Sequence, residues 1–374
     1  MGKHRHQHTE GQGEANRSVP PPPAPAPALY PQVPQEPGTP PDPGRGKVYD
    51  WRQDGWSADE PSVPAGPVPP PGQRAEQRPA QRWDPLTVGT AGPAFEPRPA
   101  TGLLSYRPDT VCDGWSTDAL ALRMASVRGY QHRYDGRPRE DDAAAGWDQH
   151  TGTVVFAVAD GVSDARQPHI GSQLACRSAV DAMLGQVRAG GGYVEDWNKL
   201  LSTVHWQLRE QASRLLRSPE ASVEETAGLL ATTLVAGAAT PTPSGVQVTL
   251  VSVGDSGAWA IKHEQLYPLV GGKQAEADGL VSSAVRPLPY IPGEVRPVPY
   301  PLDPGSVLLV GTDGFGDPVG DGRGAVAQLF ATTLRRPVPP LGFAHLLDFS
   351  RETFDDDRTL LALWPRNEGP RCAT

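Results

Sequence analysis

Several of the most apolar stretches in this chain end on an aspartate. The run TVVFAVAD ends at Asp160, VQVTLVSVGD ends at Asp255, and SVLLVGTDG carries Asp313 near its end. Aspartate is disfavoured inside β-strands, so each run predicts a buried strand that stops at its acid. These acids therefore mark the ends of strands, and the fold must accommodate several of them at once.

The order of the predicted elements indicates the fold class. Three strands follow one another directly in ATTLVAGA, VQVTLVSVGD and GAWAIKH, which is typical of antiparallel sheets. Helical spacing of apolar residues and short apolar runs predict the remaining elements. These are helices over 170–188, 195–217, 323–334 and 341–350, and strands over 120–129, 153–160 and 358–364. We expect an α+β fold, a four-layer αββα sandwich of two mainly antiparallel sheets flanked by helices.

Proline is concentrated at the beginning of the chain. Of the 43 prolines, 23 lie in the first 100 residues, and that segment is too poor in apolar residues to offset the entropy of ordering it. We expect a disordered, Pro-rich tail over 1–100, a folded domain over 101–366 and a short tail over 367–374. Residues 268–304, rich in Pro and Gly, are expected to form a surface flap.

Charge and cysteine content limit the classes of function. Residues 101–374 carry 24 basic against 32 acidic side chains, which argues against a nucleic-acid partner and against a nucleic-acid hydrolase. No apolar run is long enough for a membrane helix. The three cysteines show no spacing typical of zinc sites or disulfide frameworks. We therefore expect a cytoplasmic protein without membrane association.

The acids at the strand ends predict a metal site. Asp355, Asp356 and Asp357 precede the last strand, and Glu140, Asp141 and Asp142 follow the first. If these ends converge, mutual repulsion raises the carboxyl pKa values unless cations neutralise them. Magnesium and manganese favour such oxygen ligands, and a pair of metal ions generates hydroxide at neutral pH, which indicates a hydrolase. The alternative is that each Asp-Gly pair is only a turn, with glycine supplying a positive φ.

Six motifs together resemble the metal-dependent type 2C (PPM) family of protein serine/threonine phosphatases. They occur in the family's order between residues 118 and 364 and do not extend into the Pro-rich segment. The motifs are GRPREDDA, AVADGVS, GLLATTLVAG, VSVGDSGAW, VGTDGFGD and DDRTLLAL.

The resemblance implies a role for each acid. Asp160 would bridge two Mn²⁺ or Mg²⁺ ions, with the Gly161 carbonyl binding one ion and Asp313 and Asp356 completing the shell of the other. Through these ligands Asp160, Asp313 and Asp356 would be catalytic, because a metal-bridging hydroxide would attack phosphorus directly. Asp141 would either bind a metal ion directly or, together with Glu140, orient water molecules that are bound to the ions. Asp255 would support this site or a nearby third ion.

Two positions depart from the family pattern. Many members carry an arginine for the substrate phosphate where this chain has Gly136, and some carry a histidine where it has Val162. The neighbouring candidates for binding phosphate are Arg133, Arg137 and Arg139, whose alternative role is that of solvated loop charges. The candidates for the leaving-group acid are His132 and His169, each with the alternative of a surface or core histidine.

The resulting hypothesis is a phosphatase that acts on phosphoserine and phosphothreonine in proteins and opposes a serine/threonine kinase. The Pro-rich tail would dock partners, because polyproline segments bind aromatic grooves at low entropic cost. The alternative is a binding or regulatory module that keeps the phosphatase fold and has weak or no activity because of Gly136 and Val162.

Overall fold

A computed structural model of the chain describes residues 85–92, 109–272 and 286–366. Eleven strands and seven helices occur in this part of the chain. The strands are β1 Thr110–Ser116, β2 Leu120–Val127, β3 Asp142–Trp147, β4 Val154–Ala159, β5 Leu234–Thr242, β6 Gly245–Val253, β7 Gly257–Lys262, β8 Gln265–Gly271, β9 Val298–Leu302, β10 Val307–Gly311 and β11 Arg358–Pro365. The helices are α1 Tyr130–Asp135, α2 Pro168–Ala189, α3 Trp197–Leu216, α4 Val223–Leu230, α5 Asp313–Val319, α6 Ala325–Thr333 and α7 Pro340–Leu347.

The strands form two antiparallel sheets. The first sheet has the order β1-β2-β11-β10-β7-β8, and the second has the order β3-β4-β5-β6-β9. Each hydrogen-bonded pair of neighbouring strands runs antiparallel. The predicted α+β sandwich is confirmed, and the predicted strands and helices lie within a few residues of the observed ones.

Strand β4 shows how the layers are built. Its alternate residues Val154, Phe156 and Val158 belong to the apolar cluster between the sheets. The intervening Val155 and Ala157 belong to the cluster that includes residues of α2, α3 and α4. Because neighbouring side chains of a strand point to opposite faces, a run that is apolar at each position is buried on both. Residues of α5, α6 and α7 share a third cluster with the outer face of the first sheet, which completes the αββα order.

The predicted flap over 268–304 is only partly correct. Its ends belong to β8 and β9, and Leu288 is fully buried and forms a bridge with Thr232. Pro268, Pro299 and Pro301 obscured these strands in the sequence, but both lie at sheet edges, where a missing N–H is tolerated. Residues 273–285 lie outside the described part of the chain.

The predicted tail over 1–100 differs from the structure at residues 85–92. Val88 is buried, and its amide donates a hydrogen bond to the Ser350 carbonyl at 3.0 Å. The sequence signal was hidden because a single short segment pairs with a distant one and has no period of its own. The rest of the predicted tail, residues 1–84 and 93–100, and the short tail over 367–374 lie outside the described residues.

The packing between the sheets predicts that one aromatic side chain contributes strongly to the stability of the fold. Phe156 is fully buried, and its ring covers Gly237 on the neighbouring strand, where an added Cβ would lie 2.5 Å from the ring. We expect Phe156→Ala to lower the free energy of unfolding by about 3–5 kcal/mol, because it leaves a cavity. Trp206→Ala is the control, since that ring is 54% exposed, and should change it by less than about 0.5 kcal/mol. Chemical denaturation measures both, and equal effects would contradict the assignment of the core.

Candidate functional site

Four of the predicted acids lie at neighbouring strand ends. Asp160 directly follows β4, and Asp141 directly precedes β3, its antiparallel neighbour. Asp313 begins α5 two residues after β10, and Asp356 lies two residues before β11, which pairs with β10. The charges of Asp141, Asp313 and Asp356 all act on Asp160. The structure therefore brings together acids that are up to 215 positions apart (141 to 356) in the sequence.

Their closeness disfavours the charged forms. Desolvation raises the pKa of Asp160 well above its usual value, and the charges of Asp141, Asp313 and Asp356 raise it further. Desolvation also raises the pKa of Asp141, with added repulsion from Asp357 and Asp356. Asp356 lies in an exposed bend, but desolvation of its carboxyl group and the charges of Asp313 and Asp357 raise its pKa to about 7. Without a cation, these acids resist ionising together.

The donor chemistry fits a hard divalent cation. The carboxyl group of Asp313 acts on that of Asp160 both by its charge and as a hydrogen-bond partner. Two ionised carboxylates only accept hydrogen bonds, so such a pair requires a proton on one of them or a cation between them. Oxygen donors of this kind suit Mg²⁺ or Mn²⁺. Within the described ranges, however, no group of three or more His, Cys, Asp or Glu side chains is arranged as a complete metal-binding cluster. The residues therefore fit the ion by their chemistry and not as a preformed shell.

Two glycines permit the close approach of the chain segments that carry these acids. A Cβ on Gly161 would lie 2.6 Å from the Pro168 carbonyl oxygen, at the start of α2. A Cβ on Gly314 would lie 1.9 Å from the carbonyl oxygen of Asp357. The glycine of each Asp-Gly pair therefore has a packing role that the turn interpretation did not include. That the Gly161 carbonyl binds an ion stays a prediction.

Hydroxyl groups fix the backbone around Asp160. The Asp160 amide donates to Thr233 Oγ1 at 2.9 Å, and Thr232 Oγ1 donates to the Asp160 carbonyl at 2.8 Å. Thr233 Oγ1 in turn lies 2.6 Å from Ser256 Oγ. Ser256 follows Asp255 in the turn between β6 and β7. The Thr-Thr and Gly-Asp-Ser motifs thus support the Asp160 segment, and a direct role of Asp255 stays a prediction.

Asp141 is held by a second hydroxyl network. Thr312 Oγ1 donates to Asp141 Oδ2 at 2.8 Å and accepts from the Thr359 amide at 3.1 Å. All three residues are buried. The threonine of the Thr-Asp-Gly motif therefore ties the first acidic motif to the final strand.

Three polar side chains surround the carboxylate of Glu140. Its carboxylate accepts from Arg137 at 2.7 Å and from Ser163 Oγ at 3.0 Å, and His132 Nε2 lies 3.9 Å away. Desolvation raises the pKa of Glu140, the charges of His132 and Arg137 and the Ser163 bond oppose this rise, and the charge of Asp357 adds to it.

Asp357 is a site residue that the sequence did not single out from its acidic neighbours. It is 2% exposed, and its carboxylate accepts from the amides of Gly129 at 2.6 Å and Glu140 at 2.5 Å. His132 Nδ1 lies 3.0 Å from the same carboxylate. Desolvation opposes protonation of His132, but the bond to Asp357 and the charges of Asp357 and Glu140 raise its pKa overall. The available signal was position, since Asp357 immediately precedes a buried strand.

The three candidate arginines have different surroundings. Arg133 pairs with Asp348 at 3.1 Å, and Arg139 is buried and donates to the carbonyls of Asp141 and Asp109, each at 3.2 Å. Arg137 alone is bonded to Glu140, with its side chain 38% exposed. Arg133 and Arg139 therefore have structural contacts away from Glu140, and that Arg137 binds phosphate stays a prediction.

The two candidate histidines also differ. His169 lies in the first turn of α2, and desolvation lowers its pKa, which favours the neutral form at pH 7. A neutral imidazole cannot protonate a leaving group. His132 has a raised pKa but is 4% exposed, and its Nδ1 lies 3.0 Å from the Asp357 carboxylate.

The raised carboxyl pKa values predict a pH-dependent stability. Between the ordinary aspartate pKa of 3.8 and about 7, folded Asp356 keeps a proton that the unfolded chain releases. The free energy of unfolding therefore falls as pH rises through this window in metal-free protein. Calorimetry should show this fall, and Mn²⁺ should reverse it at pH 7.5. Asp160→Asn should make the fall smaller, because it removes a second carboxyl group whose pKa is raised in the folded protein. Asp181→Asn, on the exposed side of α2, is the control. Identical pH profiles for all three proteins would contradict the electrostatic coupling.

The chain is similar to known proteins in its sequence and in its fold. The sequence matches the family model described as protein phosphatase 2C over residues 128–346. No curated protein sequence matches the chain. Among solved structures, the serine/threonine phosphatase PstP of Mycobacterium tuberculosis is similar at 18% identity, with 66% of this chain and 98% of that chain covered and a TM-score of 0.44. PppA of Pseudomonas aeruginosa is similar at 15% identity, with 68% and 100% covered and a TM-score of 0.42. MsPP of Mycobacterium smegmatis is similar at 17% identity, with 66% and 99% covered and a TM-score of 0.39.

The family model covers more than half of the chain and includes the motifs around Glu140, Asp160, Asp255 and Asp313. The chain belongs to the protein phosphatase 2C family.

Proposed function

We propose that this protein is a Mn²⁺- or Mg²⁺-dependent phosphatase that hydrolyses phosphoserine and phosphothreonine in proteins. Membership of the family supports protein phosphatase activity in general. The observation that carries the metal-dependent part is the group of Asp141, Asp160, Asp313 and Asp356, whose charges repel one another at one end of the sandwich. Such a cluster becomes stable in its ionised form when divalent cations are present.

Asp160, Asp313, Asp356, Asp141 and the Gly161 carbonyl would hold two ions. When bound, such ions neutralise the phosphate and supply hydroxide at neutral pH for direct attack on phosphorus. Thr312 and Thr233 keep the Asp141 and Asp160 segments in position through their hydroxyl groups. Glu140 and Asp255 would orient water around the ions, Asp255 at this site or beside a third ion.

Arg137 would bind the substrate phosphate. In the structure its guanidinium donates to Glu140, so phosphate would compete with or share this donor. A guanidinium has several N–H groups and can serve two oxygen partners at once. His132 is better placed than His169 to supply a proton indirectly, through Glu140, because its protonated form is favoured.

The proposed substrates are phosphoproteins, and the proposed counterpart is a serine/threonine kinase, with partner docking through the Pro-rich segment. We place the enzyme in the cytoplasm. Cys112 and Cys176 are free thiols, which fits a reducing compartment. None of the helices in the described part of the chain has the length and apolar character needed to cross a bilayer.

A specific observation favours a second candidate function, a phosphatase-fold module with weak or no activity. Gly136 stands where many relatives have a phosphate-binding arginine, and Val162 stands where some have a histidine. Gly136 caps α1 with a φ of +70° and contributes no side chain. Such a module would bind Mn²⁺ and phosphoprotein without turnover.

Turnover of the full-length chain separates the two candidates. We expect Mn²⁺-dependent hydrolysis of an aryl phosphate and of a phosphothreonine peptide. Asp160→Asn and Asp313→Asn should each lower kcat by more than about 100-fold, because each removes a metal ligand. Asp181→Asn, which removes an exposed carboxylate of α2, should retain wild-type turnover. Mn²⁺ binding by calorimetry with no turnover would support the module instead.

A pair of arginine substitutions tests the phosphate contact. Arg137→Ala should raise KM for the aryl phosphate by about tenfold or more, since a charged hydrogen bond contributes about 1.5–3 kcal/mol. Arg133→Ala is the matched control, because Arg133 pairs with Asp348, and it should leave KM unchanged. Steady-state kinetics at saturating Mn²⁺ measures both. Equal KM values for the two variants would remove Arg137 from the proposed site.

A further inference from the structure

Residues 85–92 form a short segment, here called the strap, that lies along residues 350–352. The Val88 amide donates to the Ser350 carbonyl at 3.0 Å, and the Ser350 amide donates to the Leu86 carbonyl at 2.7 Å. The Glu352 amide donates to the Thr90 carbonyl at 2.9 Å, and the Gly92 amide donates to Ser350 Oγ at 3.0 Å. Four hydrogen bonds thus attach a segment that is distant in sequence.

The strap is also held by an apolar contact. Val88 is 9% exposed and belongs to the same buried cluster as Phe349, Phe330 and Leu347. Its neighbours Leu86 and Thr87 are exposed. One buried side chain, that of Val88, therefore anchors the strap to the first-sheet side of the molecule, while residues 85–87 and 89–91 are exposed.

The segment that the strap contacts leads directly to the proposed metal ligand. Only five residues separate Ser350 from Asp356. Arg358 spans this connection, because it donates to the carbonyl of Phe349 at 2.6 Å and to that of Phe354. The Asp355 carbonyl accepts from the Gln131 amide at 3.0 Å.

The same segment also contacts the element that carries Asp313. Arg351 donates to the Pro318 carbonyl at 3.0 Å, and Pro318 belongs to α5, which begins at Asp313. A displacement of residues 350–352 would therefore affect the supports of both Asp356 and Asp313.

We propose that the strap is a positioning element for the metal site: by adding a bonded segment to residues 350–352, it holds the loop that carries Asp356. This inference rests on the proposed metal-dependent function. The residues of the strap would act on the metal site through residues 350–352, without touching Asp356 or Asp313. The site should therefore bind metal less tightly when the strap is detached, although each ligand is still present.

A matched pair of substitutions in the full-length chain tests this. Val88→Asp places a carboxylate in the buried anchor position and should detach the strap, whereas Thr87→Asp adds the same charge at the exposed neighbouring position. In metal-free protein, hydrogen exchange should be faster by about tenfold at the amides of Gln131 and Glu352 in Val88→Asp only. The Val155 amide in the second sheet should be unchanged and serves as the control for global unfolding.

The second readout is metal affinity. Calorimetric titration with Mn²⁺ should give a Kd about tenfold higher for Val88→Asp than for Thr87→Asp, with kcat recovering at saturating Mn²⁺. If Val88→Asp does not fold, Val88→Ala and Ser350→Ala provide milder forms of the test. Ser350→Ala removes only the acceptor of the Gly92 amide.

The outcomes separate the two proposals. Equal exchange rates and equal Mn²⁺ affinity in Val88→Asp and Thr87→Asp would overturn the strap proposal, whether or not the protein is active. Mn²⁺ binding without turnover in the wild type would contradict the proposed activity and leave the comparison of the two variants valid. A wild type that binds no Mn²⁺ would overturn both.

Discussion

Repulsion among carboxylates at one end of the sandwich is the constraint on which the site depends. Two packed sheets give the rigidity that keeps Asp160 near Asp141 and Asp313, although their charges disfavour this arrangement. A flexible scaffold would relieve the repulsion by moving the acids apart. The apolar strands leading to these acids therefore serve a functional purpose as well as a structural one, because their burial opposes that separation.

The fold divides its acids into two groups by the partners it gives them. Asp357 is buried, but two backbone amides and His132 surround its carboxylate. Asp160 instead has another acidic side chain, that of Asp313, as a neighbour. An acid surrounded by donors is stable as an anion, whereas acids that face one another require a proton or a cation. This difference assigns Asp357 to the support of the site and leaves Asp160 and Asp313 as the proposed ligands.

The sequence predicted the fold where local pattern and burial agree, as in β4 and α3. It missed β3, whose residues Asp142–Trp147 are mostly alanine and glycine, and α5, whose Asp-Gly start and internal Pro318 are typical of a turn. The acids of the site were predictable because they punctuate strands. The partners of long side chains were not, because Arg133 reaches Asp348 across 215 positions. Such pairs are set by tertiary packing, for which no local pattern exists.

The departure at Gly136 has a physical explanation in the local backbone. The chain leaves α1 there in the left-handed conformation, with φ at +70°, and the Arg137 amide then donates to the His132 carbonyl at 2.9 Å. A side chain at position 136 would have to adopt this conformation at a cost of about 1–2 kcal/mol. The next residue, which follows the turn, bears no such restriction. Because Gly136 turns the chain at the end of α1, the side chain of Arg137 can reach Glu140. The guanidinium that we propose to bind phosphate therefore belongs to residue 137, one position after the residue that is arginine in many family members.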